Sequence, residues 1–183
     1  VNLSLHYRAD QIKSHFQDGS QFGVELNYVT EDQPLGTAGS LRLIEHGGEP
    51  VLVINGDILT RLDYRALLQF HREQRADVTV AVRKYDVHVP YGVVEPEGPR
   101  VRALAEKPAY SFFVNAELYL VEPCALRSIP PEKRFDMTDL IKLLLEQGRI
   151  VASFPMHEYW LDIGLPEEFA QAQTDFHQGK LES

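Results

Sequence analysis

Two hydrophobic periods take turns along this chain. Val1-Asn2-Leu3-Ser4-Leu5-His6 puts an apolar residue at every second position, the pattern of a strand with one buried face. Asp10 is placed to cap a short helix with Ile12 and Phe16 on its apolar side, and Asp18-Gly19-Ser20 turns the chain. Val24 to Val29 reads as a second strand, and Thr37 to His46 as a helix bearing Leu41 and Ile44. Val51-Leu52-Val53-Ile54 is an unbroken apolar run, as expected of a strand buried on both faces. Asp63 then caps a helix with Leu67, Leu68 and Phe70 inside, and Val78 to Val82 is another buried strand. Strands alternating with helices in this way predict a parallel or mixed sheet covered on both faces.

The middle of the chain changes character. From Tyr91 to Leu120 there are short extended segments (Gly92 to Glu95, Val101 to Ala105, Phe113 to Leu120), punctuated by Pro90, Pro96, Pro99 and Pro108. They predict an antiparallel portion inserted beside the main sheet. Thr138-Asp139-Leu140 opens a helix that runs to about Gln147 and stops at Gly148. Ile150 to Phe154 is a strand, and Pro166 starts a last helix through Phe176. With no repeat or linker, the expectation is one α/β domain over residues 1–183.

Charge and cysteine usage narrow the function classes. Lys and Arg total 18 against 27 Asp and Glu, a formal net charge of -9. Such a surface repels a polyanion, which argues against nucleic acid or an anionic membrane as the main partner. A small anionic ligand needs only a local cation or a metal ion. No apolar stretch approaches the ~18 residues of a membrane span, and the expectation from the opening residues is neither secretion nor membrane insertion. Cys124 is the sole cysteine, so a disulfide framework or multi-cysteine zinc site is excluded. The expected setting is a cytoplasmic one. Oligomeric state is not legible.

Four segments carry candidate chemistry. Asn55-Gly56-Asp57 follows the buried run Val51 to Ile54, and ligands of open α/β sheets bind at the carboxyl ends of strands. Asp57 is therefore a candidate ligand for a hard cation such as Mg2+, or else a solvated residue of an Asn-Gly turn. In Leu35-Gly36-Thr37-Ala38-Gly39, small residues at a helix start allow a ring or phosphate to approach the backbone. A plain Thr-capped helix explains that segment equally well. In Glu106-Lys107-Pro108, adjacent side chains of an extended chain point oppositely and can serve two sites, or be two exposed charges. In Trp160-Leu161-Asp162-Ile163-Gly164, Asp162 is a second candidate metal ligand or the cap of a turn. His6, His71, His88 and His157 show no metal-ligand spacing.

The order Leu-Gly-Thr-Ala-Gly, Asn-Gly-Asp, Pro-Tyr-Gly-Val-Val, Glu-Lys-Pro, Val-Asn-Ala and Trp-Leu-Asp-Ile-Gly resembles the sugar-1-phosphate nucleotidylyltransferases, or NDP-sugar pyrophosphorylases. The resemblance runs from Val1 to about Ala172. It implies a Rossmann-like three-layer α/β/α sandwich with a mixed sheet and a small antiparallel sheet over the sugar site, a GT-A-like fold. It implies Mg2+ held by Asp57 and by the remote Asp162, and Lys107 as the lysine that meets the sugar phosphate. Gly36 and Thr37 match the loop along the nucleobase, and Glu31 the position of a base-reading side chain. Gly92 matches a backbone donor to the sugar, Glu106 the carboxylate holding its hydroxyls, and Asn115 a further sugar contact. The implied reaction joins a nucleoside triphosphate and a sugar-1-phosphate, with release of pyrophosphate. A carboxylate at Glu31 suits the adjacent N–H donors of guanine, which favours GTP over UTP. The segment His-Glu-Tyr-Trp-Leu-Asp-Ile-Gly is similar to the mannose-1-phosphate guanylyltransferase branch.

Two departures bear on these expectations. Glu117 stands where the family's Val-Asn-Ala-Gly has glycine, which leaves the sugar open. The family's glycine-rich phosphate loop, Gly-x-Gly-Thr-Arg on its first strand, has no counterpart here. The expectation is a domain without its first strand and phosphate loop, inactive by itself and part of a longer enzyme. Two rival classes stay open: a non-catalytic regulatory or structural homologue, and an NDP-sugar-binding glycosyltransferase, whose Asp-x-Asp motif is missing around Asp57.

Overall fold

A computed structural model describes residues 1–131 and 133–181. In chain order the elements are β1 (Asn2–Leu5), α1 (Ala9–Phe16), β2 (Asn27–Thr30), α2 (Gly36–Gly39), β3 (Val51–Ile54), β4 (Ile58–Thr60), α3 (Tyr64–Gln74) and β5 (Val78–His88). They continue as β6 (Val93–Glu97), β7 (Arg100–Ala105), β8 (Ala109–Val121), α4 (Pro123–Leu126), α5 (Met137–Glu146), β9 (Val151–Met156), β10 (Trp160–Asp162) and α6 (Pro166–His177). β3, β8, β5 and β9 lie side by side in that order as a four-stranded sheet. β1 pairs with β2 in parallel, whereas β6–β7 and β4–β10 are antiparallel pairs. The protein is thus mixed α/β, with a central sheet and small antiparallel ones. Among the described residues, no helix is long and apolar enough to cross a membrane.

Of the antiparallel portion expected beside the main sheet, only the β6–β7 hairpin stands as a separate sheet. Phe113 to Leu120 falls instead in β8, an inner strand of the four-stranded sheet between β3 and β5, so that expectation is corrected. Gly148 ends α5 in a left-handed turn at φ 69°. Four local expectations need correction. Arg8, not Asp10, holds the N-cap of α1, and Asp10 sits inside the first turn. The strand expected from Val24 begins only at Asn27, because the left-handed Gly19 and Gly23 enclose a tight 3-10 turn at Ser20–Phe22. The helix expected over Thr37 to His46 is a single turn, α2, running into a 3-10 turn at Ser40–Leu43. There the N–H groups of Ala38 and Gly39 donate to the Phe135 carbonyl, at 3.0 and 2.8 Å. Finally, β3 is not buried on both faces. Val53 is buried, but Leu52 and Ile54 keep 39% and 38% exposure, and β3 is the outer strand of its sheet.

The chain divides into two compact units, Val1–Asn55, Arg65–Thr79 and Tyr119–Ala152 in one, Gly56–Tyr64, Val80–Leu118 and Ser153–Ser183 in the other. In the first, Leu67, Val78, Val121, Leu126, Ile129, Leu140 and Leu144 are buried, each contributing about 1.5–3 kcal/mol by leaving water. Buried His71 shares hydrogen bonds with Thr79 Oγ1 at 2.7 Å and Glu122 Oε1 at 3.3 Å, so the polar group in this core is satisfied. Asp77 pairs with Arg149 and accepts the Ile150 N–H at 3.0 Å. In the second unit, Leu62, Ala81, Ala116, Leu118, Met156 and Ala172 are buried. Here Asp175 of α6 accepts from Lys180 at 2.7 Å, from Tyr159 at 2.9 Å and from Gln171 at 2.7 Å.

These two aspartates give the fold an acid limit. The Arg149 hydrogen bond, chiefly, holds the Asp77 carboxyl below its ordinary 3.8, and the Lys180 hydrogen bond does the same for Asp175. Both folded-state values lie below the unfolded one, so the unfolded chain takes up protons first on acidification. The stabilisation is complete above about pH 5 and is lost as pH falls past 3.8 and on through the depressed folded-state values. Urea midpoints measured from pH 6 to pH 2.5 should drop steeply in that window. Asp77→Asn should flatten the drop, and an unchanged slope would refute the assignment.

Candidate active site

The two candidate metal ligands come together because β4 and β10 pair. Asp162 lies opposite Ile58, which sets the chain preceding β4 against the chain following β10. The Ile163 N–H donates to the Asp57 carbonyl at 2.9 Å and closes that corner. Gly164 then supplies room. A methyl group built on it would sit 3.1 Å from Asp162 Oδ1 and 3.5 Å from Asp57 Oδ2. Both carboxylates therefore converge on one point beside a residue without a side chain. Asp162 Oδ1 also accepts the Gly164 N–H at 2.9 Å, which orients it. No cluster of three His, Cys, Asp or Glu forms among the described residues. The chemistry of the pair fits a hard cation that takes one or two carboxylates and completes its octahedron with phosphate and water oxygens, as Mg2+ does.

The candidate sugar-binding residues share the second unit with this pair. In the β6–β7 hairpin, Val93 pairs with Ala105, which sets Gly92 beside Glu106. A methyl group on Gly92 would lie 3.1 Å from Glu106 Oε2, so the missing side chain leaves the carboxylate and the Gly92 backbone open to the same ligand. Lys107 is exposed and holds φ 45°. A non-glycine residue adopts that backbone at a cost of about 1–2 kcal/mol, and such outliers gather at functional sites. Pro108, next in the chain, is anchored by the Val89 N–H at 3.0 Å. On β8, Asn115 Oδ1 accepts the Glu117 N–H at 3.1 Å.

Glu117 has φ 61°, the left-handed region that glycine occupies freely. The glycine expected at this position thus has a backbone reason. Glu117→Gly should raise stability by up to about 1 kcal/mol, relief of strain being partly offset by the freer unfolded chain. Urea denaturation measures it, and a clear loss of stability would show that the Glu117 side chain outweighs the strain.

In the first unit, the Gly36–Thr37 loop is stitched to the start of α5. Gly36 takes φ 80° and passes close to Phe135 and Asp136. The Thr37 N–H donates to Asp136 Oδ1 at 3.1 Å, Thr37 Oγ1 accepts the Met137 N–H at 2.9 Å, and the Phe135 N–H donates to the Leu35 carbonyl at 2.8 Å. Asp136 and Asp139 form the capping box of α5. Glu31 braces the same loop from the other side. Its Oε1 accepts from Ser4 Oγ at 2.6 Å and its Oε2 from the Leu35 N–H at 2.8 Å.

Asp136 was not singled out by the sequence, although its place three residues before Asp139 is the capping-box spacing that would have found it. Arg83 had no such signal. Its guanidinium lies 5.4 Å from the Trp160 ring centroid, and Nη1 donates to the Trp160 carbonyl at 2.6 Å.

The sequence model of the Nucleotidyl transferase family matches residues 1–179. The mannose-1-phosphate guanylyltransferase of Mycobacterium tuberculosis is 32% identical over 98% of this chain and 52% of its own length. The mannose-1-phosphate guanylyltransferase catalytic subunit beta of Drosophila pseudoobscura pseudoobscura is 32% identical over 92% of this chain and 47% of its own. The chain spans about half the length of the curated relatives it matches. Among solved structures, HddC from Yersinia pseudotuberculosis superposes with a TM-score of 0.70 at 25% identity, covering 96% of this chain and 77% of that one. With nearly every residue inside the family match, and relatives of this kind among the sugar-1-phosphate nucleotidylyltransferases, the chain belongs to the nucleotidyl transferase family.

Proposed function

We propose that this chain carries the substrate-binding and catalytic groups of a sugar-1-phosphate nucleotidylyltransferase, with GTP as the favoured nucleotide and Mg2+ as the metal. The observation that carries the reading is the convergence of Asp57 and Asp162 beside Gly164. An oxygen of the sugar phosphate forms a bond to the α-phosphorus of the triphosphate while the bond to the β-phosphate oxygen breaks, and pyrophosphate leaves. Such a transfer depends on in-line positioning and charge neutralisation rather than on acid–base chemistry. Asp57 and Asp162 would hold Mg2+, which would supply charge stabilisation to the transferring group. Lys107 neutralises the sugar phosphate, Glu106 accepts hydrogen bonds from sugar hydroxyls, the Gly92 backbone donates to the sugar, and Asn115 adds a further contact. The Gly36–Thr37 loop, held in place by Asp136 and Met137, lies along the nucleobase. The Glu31 oxygens, each already accepting one hydrogen bond, retain a second lone pair for the N–H donors of guanine. The acidic composition and lone cysteine suit a cytoplasmic setting.

The relatives named above direct the first assay to GTP with mannose-1-phosphate. The intact gene product should release pyrophosphate only when nucleotide, sugar-1-phosphate and a divalent cation are all present. GTP should outpace UTP. Release without the sugar phosphate, or none with any nucleotide and sugar-phosphate pair, would overturn the proposal.

A further inference from the structure

We infer that Arg83 is a positioning residue for the two-carboxylate cation site, acting through Trp160 on Asp162. The inference rests on the metal reading of Asp57 and Asp162 given above. β10 is only three residues long, and its pairing with β4 is a correspondingly small anchor for Asp162. Trp160 provides the rest. Its Nε1–H donates to the Ala116 carbonyl on β8 at 2.8 Å. Arg83 of β5 holds it twice more, with the guanidinium against the ring at 5.4 Å and a hydrogen bond to the Trp160 carbonyl at 2.6 Å. Residues two apart in a strand share a face. The Trp160 ring and the Asp162 carboxylate therefore stand on the same side of β10, and a tilt of one carries the other. Arg83, Ala116, Trp160, Asp162 and Asp57 all belong to the second unit, so the relay lies within one compact body.

Charge alone predicts the opposite effect, which makes the inference decisive to test. Arg83 bonds to a residue two positions from Asp162, roughly 7 Å along an extended chain. A bare positive charge at that range opposes cation binding, so its removal should tighten the site. If Arg83 instead positions Asp162, its removal should loosen it.

Mn2+, which takes oxygen ligands as Mg2+ does, can be titrated into the protein and its free fraction read by electron paramagnetic resonance, with no need for turnover. Wild type should bind Mn2+ in a manner abolished by Asp162→Asn. Arg83→Gln should weaken binding about tenfold, the size of effect seen when outer partners of metal ligands are removed. Arg83→Lys, which keeps the cation and can reach the carbonyl but cannot stack a planar group, should recover part of that loss. Trp160 is the single tryptophan, so its emission reports directly that Arg83→Gln is folded and that the ring has moved. Should Arg83→Gln fail to fold, Arg83→Met, which keeps the stem but neither the cation nor the hydrogen bond, carries the test, and wild-type affinity in it would overturn the inference. Unchanged or tighter Mn2+ binding in folded Arg83→Gln, with the Asp162 dependence intact, overturns the role of Arg83 alone. Wild-type binding that ignores Asp162→Asn overturns the two-carboxylate reading and the role of Arg83 with it.

Discussion

Asp57→Ala in the intact gene product is expected to lower kcat for pyrophosphate release by about 10^3-fold, with Asp162→Ala close to it. Removing one preorganised electrostatic partner of a transition state costs roughly 10^2–10^3. At 1.36 kcal/mol per decade, a thousandfold loss is about 4 kcal/mol. The upper end applies because the two carboxylates aim at a single point and neither has a third acid beside it among the described residues. The double variant should be little worse than either single one, since a cation that loses one of two carboxylates has already lost its seat. KM for the sugar phosphate should move less than kcat. Activity within tenfold of wild type in folded Asp57→Ala would remove the central support of the proposed function.

Gly36→Ala is expected to destabilise the fold by about 2–5 kcal/mol. Its φ of 80° carries a left-handed penalty for any side chain, about 1–2 kcal/mol. The new methyl group would also sit 2.4 Å from Asp136 Oδ1 and 2.8 Å from the Phe135 carbonyl oxygen. Something must shift, and overpacking of this kind adds about 1–3 kcal/mol. The displaced carboxylate is the N-cap of α5 and the acceptor for Thr37, so the damage reaches a helix start nearly a hundred residues along the chain. Urea denaturation gives the magnitude. Gly36→Ala combined with Asp136→Ala should recover part of it, because the nearer clash partner is gone although the Phe135 carbonyl remains and the cap is lost. A cost below 1 kcal/mol would show that the loop relaxes freely.

What the chain declares in advance follows from whether its signals are local. Asp139 and Gly148 bracket α5, Pro166 opens α6, and the proline-punctuated hairpin is antiparallel, all from neighbours within a few residues. β4 and β10 were illegible. Three residues carry no period, and these are strands only because each is the other's partner across the chain. The bonds that cap α2 are equally non-local, its first-turn N–H groups at Ala38 and Gly39 donating to the Phe135 carbonyl nearly a hundred residues away. Motif order placed Asp57, Asp162, Gly92 and Glu106 on candidate chemistry, and the fold brings them together in pairs. The loop-bracing bonds of Glu31, the stitching by Asp136 and the grip of Arg83 on Trp160 depend on partners distant in sequence, and no spacing announces those.

The β4–β10 pairing also sets a clock. Asp57 is made well before Asp162, so a ribosome-bound chain holds one acid long before its partner emerges. Closing that span is an entropic step that local structure cannot bypass. A nascent or clipped chain ending before Trp160 would keep its hairpin residues and its glycine loop yet present a lone exposed carboxylate to divalent ions. The Asp57–Asp162 pair comes into being only once β10 has joined β4, so chains that stop before β10 hold no paired carboxylates at this corner.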